Sequence, residues 1–159
     1  MIYLKHPATC LRHGVLPAIV LALFLVLVLR PNPVAALGGA HTCALTPSGA
    51  VDCWGLNIDG QSADQTGPYT QVSAGDDHTC ALTSAGAVNC WGYNTDGQAD
   101  DQTGPYTQVN AGDYHTCALT PAGAVDCWGD NHHGQADDQT GPYTQVSVCL
   151  LYTSPSPRD

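Results

Sequence analysis

"HTCALTPSGAVDCWG" occupies residues 41–55, returns as "HTCALTSAGAVNCWG" at 78–92, and returns again as "HTCALTPAGAVDCWG" at 115–129. Each copy holds two cysteines ten residues apart around a turn that ends in Gly. The flanking Thr, Val and Trp favour strands, so each copy reads as a β-hairpin. With the hairpin centred on Ser48, partner numbers sum to 96 and Cys43 falls opposite Cys53. The same arithmetic sets Cys80 opposite Cys90 and Cys117 opposite Cys127. Directly opposed strand residues have Cβ atoms about 4.5–5.5 Å apart, which a small twist closes to disulfide geometry. Closing so short a loop contributes about 2–3 kcal/mol in the chain-entropy view. A unit with little core of its own needs that support.

The repeat extends beyond the hairpin. "HTC" begins at 41, 78 and 115, "CWG" at 53, 90 and 127, and "TGPYTQV" at 66, 103 and 140, so the period is 37 throughout. A fixed period of this size marks an array or propeller of small supersecondary units. Around the second hairpin, "YTQVSAG" (69–75), "HTCALT" (78–83) and "AVNCWG" (87–92) read as strands, with turns at Asp76-Asp77 and Ser84–Gly86. Sustained helical periodicity is confined to the apolar N-terminal segment. The fold class is therefore all-β: about three antiparallel meanders of three to four strands, preceded by an N-terminal hydrophobic helix.

Several recurring residues invite a chemical reading. His41, His78 and His115 stand two residues before the first cysteine of each hairpin. His and two Cys per unit are zinc-type ligands, but the tight knuckle spacing of a zinc site is absent and no fourth ligand recurs. The histidines are instead expected to be structural, bonding a neighbouring loop. Trp54, Trp91 and Trp128 follow the second cysteine and so face away from it. They are expected to pack between units, the alternative being an exposed aromatic row for sugar or peptide. The loops "NIDGQSADQ", "NTDGQADDQ" and "NHHGQADDQ" make Asp96, Asp100, Asp101, His132 and His133 a candidate ligand loop. Calcium would suit the spaced Asp, but the chain has no Glu to supply the usual bidentate ligand, and turn formation accounts for them. No metal, cofactor or catalytic residue is assigned.

Charge limits the partners. All 14 acidic residues are Asp, and 13 of them lie between Ala40 and Val146, a stretch without Lys or Arg. With histidines neutral that stretch carries a formal −13, which repels nucleic acid and anionic membrane and suits cationic ligands or basic protein patches. Ahead of it, Lys5 and Arg12 precede fifteen uncharged residues, Val15–Leu29, and small residues follow at Val34-Ala35-Ala36. This is the pattern of a secretory signal over residues 1–36, with an uncleaved signal anchor as the alternative; membrane contact is expected only through 15–29. The oxidising compartment that a signal implies agrees with the paired cysteines.

"QVSAGDDHTCALTSAGAVNCWGYNTDGQ" (71–98) closely resembles the repeat of the regulator of chromosome condensation family, in the short, cysteine-paired form common in secreted or surface proteins. The resemblance covers about residues 38–146. It implies a β-propeller, usually of seven blades, in which the recurring Gly, His and Trp serve blade structure. Relatives implied by it include a nuclear guanine-nucleotide exchange factor and a propeller that inhibits β-lactamase. Only three units are present, so the chain is expected to be a fragment forming an incomplete propeller of about three blades. A fourth unit opens with "YTQVS" and then breaks: "VCLLYTSPSPRD" stands where "AGDDHTC" is expected, and 147–159 is read as a sequencing or assembly artefact. The expected function is a secreted or surface scaffold for an unknown protein or glycan, without catalysis. The alternatives are an exchange-factor-type regulatory propeller and a calcium- or metal-dependent adhesion module.

Overall fold

The computed structural model describes residues 35–149; the N-terminal helix expected around 15–29 and most of the 147–159 tail lie outside them. Nine strands form three separate antiparallel sheets of three strands each, and no helix occurs among the described residues. The first sheet comprises β1 (Ala35–Leu37), β2 (His41–Leu45) and β3 (Val51–Gly55). The second comprises β4 (Tyr69–Ala74), β5 (His78–Thr83) and β6 (Val88–Gly92). The third comprises β7 (Gln108–Ala111), β8 (His115–Leu119) and β9 (Val125–Gly129). A reduced fourth strand persists as one bridge per unit: Val51 and Gln65 exchange backbone hydrogen bonds of 2.8 and 2.9 Å, as do Val88 and Gln102, and Val125 and Gln139 exchange two of 2.8 Å.

The hairpin register is the one the cysteines require. Cys43 pairs with Cys53, Cys80 with Cys90 and Cys117 with Cys127, and each pair is joined in a disulfide. The tip of each hairpin also anchors the next unit. Gly49 turns at φ +85°, and its carbonyl accepts the Tyr69 N–H at 2.8 Å; Gly86 holds Tyr106 and Gly123 holds Tyr143 in the same way. Gly67 packs against that tip at φ +75°, where a Cβ would run into the Gly49 carbonyl oxygen, so only glycine fits.

Strand alternation gives each sheet two different faces. In the second sheet, His78, Cys80, Leu82 and Val88 lie on one face, and Val72, Ala74, Thr79, Ala81 and Trp91 on the other. The disulfide face of one unit meets the tryptophan face of the next. Between units one and two, Cys43 and Val51 pack with Val72, Ala81, Tyr69 and Trp91. Between units two and three, Cys80, Leu82 and Val88 pack with Val109, Ala118, Tyr106 and Trp128. The core is thus a series of layers between sheets, and no unit has an interior of its own.

Candidate functional site: the blade clasp and the acidic loops

A polar relay crosses each layer. His41 on β2 reaches Thr79 on β5, with Nε2 2.7 Å from Oγ1, and Thr79 donates its hydroxyl to the Gln61 carbonyl at 2.9 Å. The threonine has one proton and gives it to a carbonyl, so it accepts from His41, which fixes the Nε2–H tautomer. The next layer repeats this: His78 Nε2 lies 2.8 Å from Thr116 Oγ1, and Thr116 donates to the Gln98 carbonyl at 2.9 Å. Burial holds the relay neutral. Desolvation lowers the His78 pKa to about 4, and burial lowers His41 and His115 as well. His41 and His78 therefore bond a strand hydroxyl of the following unit, and through it reach the Gln61 and Gln98 carbonyls of the loops. The relay threonines were not singled out in the sequence, where every residue of the repeat recurs and periodicity alone does not pick them out.

A second link runs along the outer strands. The Gln71 side chain takes both backbone groups of Val109, donating to its carbonyl at 2.9 Å and accepting its N–H at 3.1 Å. Gln108 grips Val146 identically, at 3.1 and 3.0 Å. Trp91 and Trp128 pack in the layers beside Tyr69 and Tyr106, with ring centroids 6.5 and 6.4 Å apart. Trp54 differs: it is 55% exposed.

In the candidate ligand loop the carboxylates serve the fold. Asp101 accepts the Cys90 N–H at 2.8 Å, as Asp64 does from Cys53 and Asp138 from Cys127. Asp100 accepts from the Asn94 amide at 2.9 Å, and the Asp96 N–H donates to Gln98 Oε1. His132 is exposed, with Nε2 3.7 Å from Asp130, while the His133 N–H donates to Gln135. Among the described residues no three His, Cys, Asp or Glu side chains converge as a metal site would require. A stronger electrostatic feature lies at the β4–β5 and β7–β8 turns. There Asp76, Asp77 and Asp113 crowd together, and burial followed by repulsion from the other two raises the Asp113 pKa. The Gln61 amide donates to Asp77 at 3.3 Å. The third unit has Tyr114 in place of that Asp, and the buried Gln98 amide nitrogen is left without a partner.

Small disulfide-bonded sheets, each laid face-on to the next and joined in sequence, are the blades of a β-propeller-like array. The chain matches the regulator of chromosome condensation (RCC1) repeat at residues 34–61, 69–98 and 106–135, more than half its length, and belongs to that family. No curated protein matches it. Among solved structures, the ectodomain of the Physcomitrella patens receptor kinase CR4 is similar at 32% identity and TM-score 0.53, covering 65% of this chain and 31% of that one. The ectodomain of the Arabidopsis thaliana receptor kinase ACR4 is similar at 30% identity and TM-score 0.51, covering 60% and 39%. Prp20p of Saccharomyces cerevisiae, described with its binding to Gsp1p and histones, shares the fold at 18% identity and TM-score 0.56, covering 69% and 37%. The chain spans well under half the length of each.

Proposed function

We propose that this chain is part of a secreted or cell-surface propeller that binds proteins and catalyses nothing. The observation that carries this reading is the set of three hairpin disulfides, one in each blade. Such bonds persist outside the reducing cytosol, and the N-terminal basic–apolar–small pattern supports the same compartment. Similarity to two receptor-kinase ectodomains adds to it. The binding surface is the acidic turn edge of Asp76, Asp77 and Asp113, whose mutual repulsion a basic protein patch relieves. The exchange-factor reading has a neighbour of similar fold but only 18% identity, and it would place six cysteines in a reducing compartment.

The test is alkylation of the unreduced protein recovered separately from medium, cell surface and cytosol, followed by mass spectrometry. Six unlabelled repeat cysteines in protein from the medium or surface are expected. Labelled repeat cysteines in a cytosolic or nuclear pool would overturn the assignment and favour the exchange-factor alternative.

A further inference from the structure

Three glutamines at matched positions share one contact and differ in the next. Gln61, Gln98 and Gln135 each use Oε1 to accept the backbone N–H two residues earlier, from Asp59, Asp96 and His133, at 2.9, 2.9 and 2.8 Å. That bond sets the direction of the amide nitrogen. Gln61 Nε2 donates to Asp77 at 3.3 Å, and Gln135 Nε2 donates to Asp130 at 2.8 Å. Gln98 has neither kind of partner: Tyr114 stands where the layer before has Asp77, and Tyr93 stands where the third unit has Asp130. Gln98 is fully buried, and its Nε2 makes no hydrogen bond. A buried donor without an acceptor is destabilising, so its retention asks for a use.

The vacant side of Gln98 is turned to the acidic edge between the second and third units. The Tyr93 N–H donates to the Asp77 carbonyl at 2.8 Å, and a Cβ on Gly129 would meet both the Tyr114 carbonyl and the Gln98 side chain. The Asp76 N–H donates to the Gly112 carbonyl at 3.2 Å, which sets the turn of the second unit against that of the third. Burial first, and then Asp76, Asp77 and Asp113, raise the Tyr114 pKa, so its phenol stands in the field of all three carboxylates. One buried donor, two tyrosines and three carboxylates thus meet at an internal junction. No Lys or Arg lies between Ala40 and Val146 to neutralise them.

We infer that this junction takes one arginine of the protein partner, side chain and backbone carbonyl together, an assignment that rests on the acidic edge being the binding surface. The guanidinium presents its N–H donors in a planar fork and pairs with Asp76, Asp77 and Asp113, relieving their repulsion. The Tyr114 ring turns onto the face of that cation, where an aromatic face is attractive. The same turn opens the Gln98 amide, which donates to the arginine's backbone carbonyl as Gln61 donates to Asp77 in the layer before. A lysine ammonium matches the charge but neither the fork nor the stacking. The junction between the first and second units lacks this capacity, because Asp77 already occupies the Gln61 amide and Leu56 stands in place of Tyr93.

The probe is acetyl-Gly-Arg-Gly-amide, titrated into the oxidised full chain and followed by nitrogen–proton NMR, side-chain amides included. Saturable shifts are expected at the Gln98 amide and at Tyr93 and Tyr114. The lysine peptide should bind about two- to fivefold more weakly for want of stacking, and the citrulline peptide not measurably. Tyr114→Asp is the decisive variant, because it adds negative charge while removing the ring and occupying the Gln98 amide. It is expected to weaken arginine binding about two- to tenfold and to abolish the Gln98 shift, with circular dichroism confirming its fold. If it misfolds, the neutral Tyr114→Asn replaces it and should weaken binding likewise. Tighter binding by Tyr114→Asp, unchanged binding by Tyr114→Asn, or equal arginine and lysine affinities with Gln98 unmoved would each overturn the arginine site while leaving the acidic edge as a diffuse attractor. No binding of either basic peptide up to about 10 mM would overturn both.

Discussion

The second unit and the third are nearly identical in sequence, yet they sit in different environments. Both faces of the second unit are covered: His78 and Cys80 are fully buried under Thr116, and Thr79 and Ala81 are fully buried against the first unit. Among the described residues, the third unit meets a neighbouring sheet on its tryptophan face alone. Its disulfide face is roofed by Val146 and Val148, and His115 is half-buried. The same residue types therefore have different energetic weight according to the neighbour, as expected of an array whose stability is a sum of unit and nearest-neighbour contributions. Substitutions at matched positions, 37 residues apart, measure the neighbour directly.

The largest loss is expected at the disulfides. Loop closure is equal in the two units, since both pairs are ten residues apart, and contributes about 2–3 kcal/mol. Replacing Cys80 and Cys90 together by Ala also opens a void beneath Val109 and Ala118, for a total loss of about 3–4 kcal/mol. The same double replacement at Cys117 and Cys127 is expected to cost about 1 kcal/mol less, because its cover can settle. Urea unfolding of both variants checks this; equal losses would mean that the layers contribute nothing to the difference.

Acid should separate the units next. The unfolded chain takes up a proton on His78 near pH 6.5, while the folded chain resists until about 4. Stability is therefore full above pH 6.5, falls as pH drops from 6.5 to 4, and levels off below, by an amount on the order of 3 kcal/mol. His78→Gln is expected to remove most of that slope. His115→Gln should remove less, because Asp130 partly offsets the lowering by burial there. Unfolding midpoints at pH 7, 5.5 and 4 decide it; an unchanged slope in His78→Gln would refute a buried neutral imidazole.

These contrasts also mark what was legible in the sequence. The cysteine spacing and the Gly-containing turn fix one register, so the hairpins, their disulfides and the three-blade array could be read before any coordinates. The opposed placement of Cys80 and Trp91 follows from strand alternation alone. The relay was not legible, because Thr79 acts through a residue 38 positions away on another sheet, and pairing between sheets leaves no local signature. The loop carboxylates were ambiguous for a related reason. Asp in a Gly- and Asn-rich loop suits ligand binding and backbone capping equally well, and only the position of the Cys90 N–H makes Asp101 a cap. The exposure of Trp54 was hidden as well, since a tryptophan's burial here depends on the unit before it.

Trp91→Ala removes a ring packed against Cys43, Val51 and Tyr69, and is expected to cost about 2 kcal/mol, below the range for a fully enclosed aromatic. Trp54→Ala, in the same position one unit earlier, is expected to change monomer stability by less than about 0.5 kcal/mol. Thermal unfolding at low protein concentration separates the two. Similar losses would mean that Trp54 is buried within its own unit.

The smallest and most specific contrast lies at the relay threonine. Thr79→Val keeps the shape and strand preference of the side chain but removes its hydroxyl. The His41 Nε2–H then has no acceptor in a buried layer and the Gln61 carbonyl loses its donor, for a cost of about 1–2 kcal/mol. Thr116→Val should behave alike, since it severs the link between His78 and the Gln98 carbonyl. Thr42→Val lies at the half-buried equivalent in the first unit and is expected to shift monomer stability by less than about 0.5 kcal/mol. A His41→Phe background makes the comparison sharper: Thr79→Val should then cost less than half as much, because the imidazole donor is already gone. If the cost is the same with and without His41, the hydroxyl stabilises the loop through Gln61 alone, and the histidine is packing rather than part of a relay.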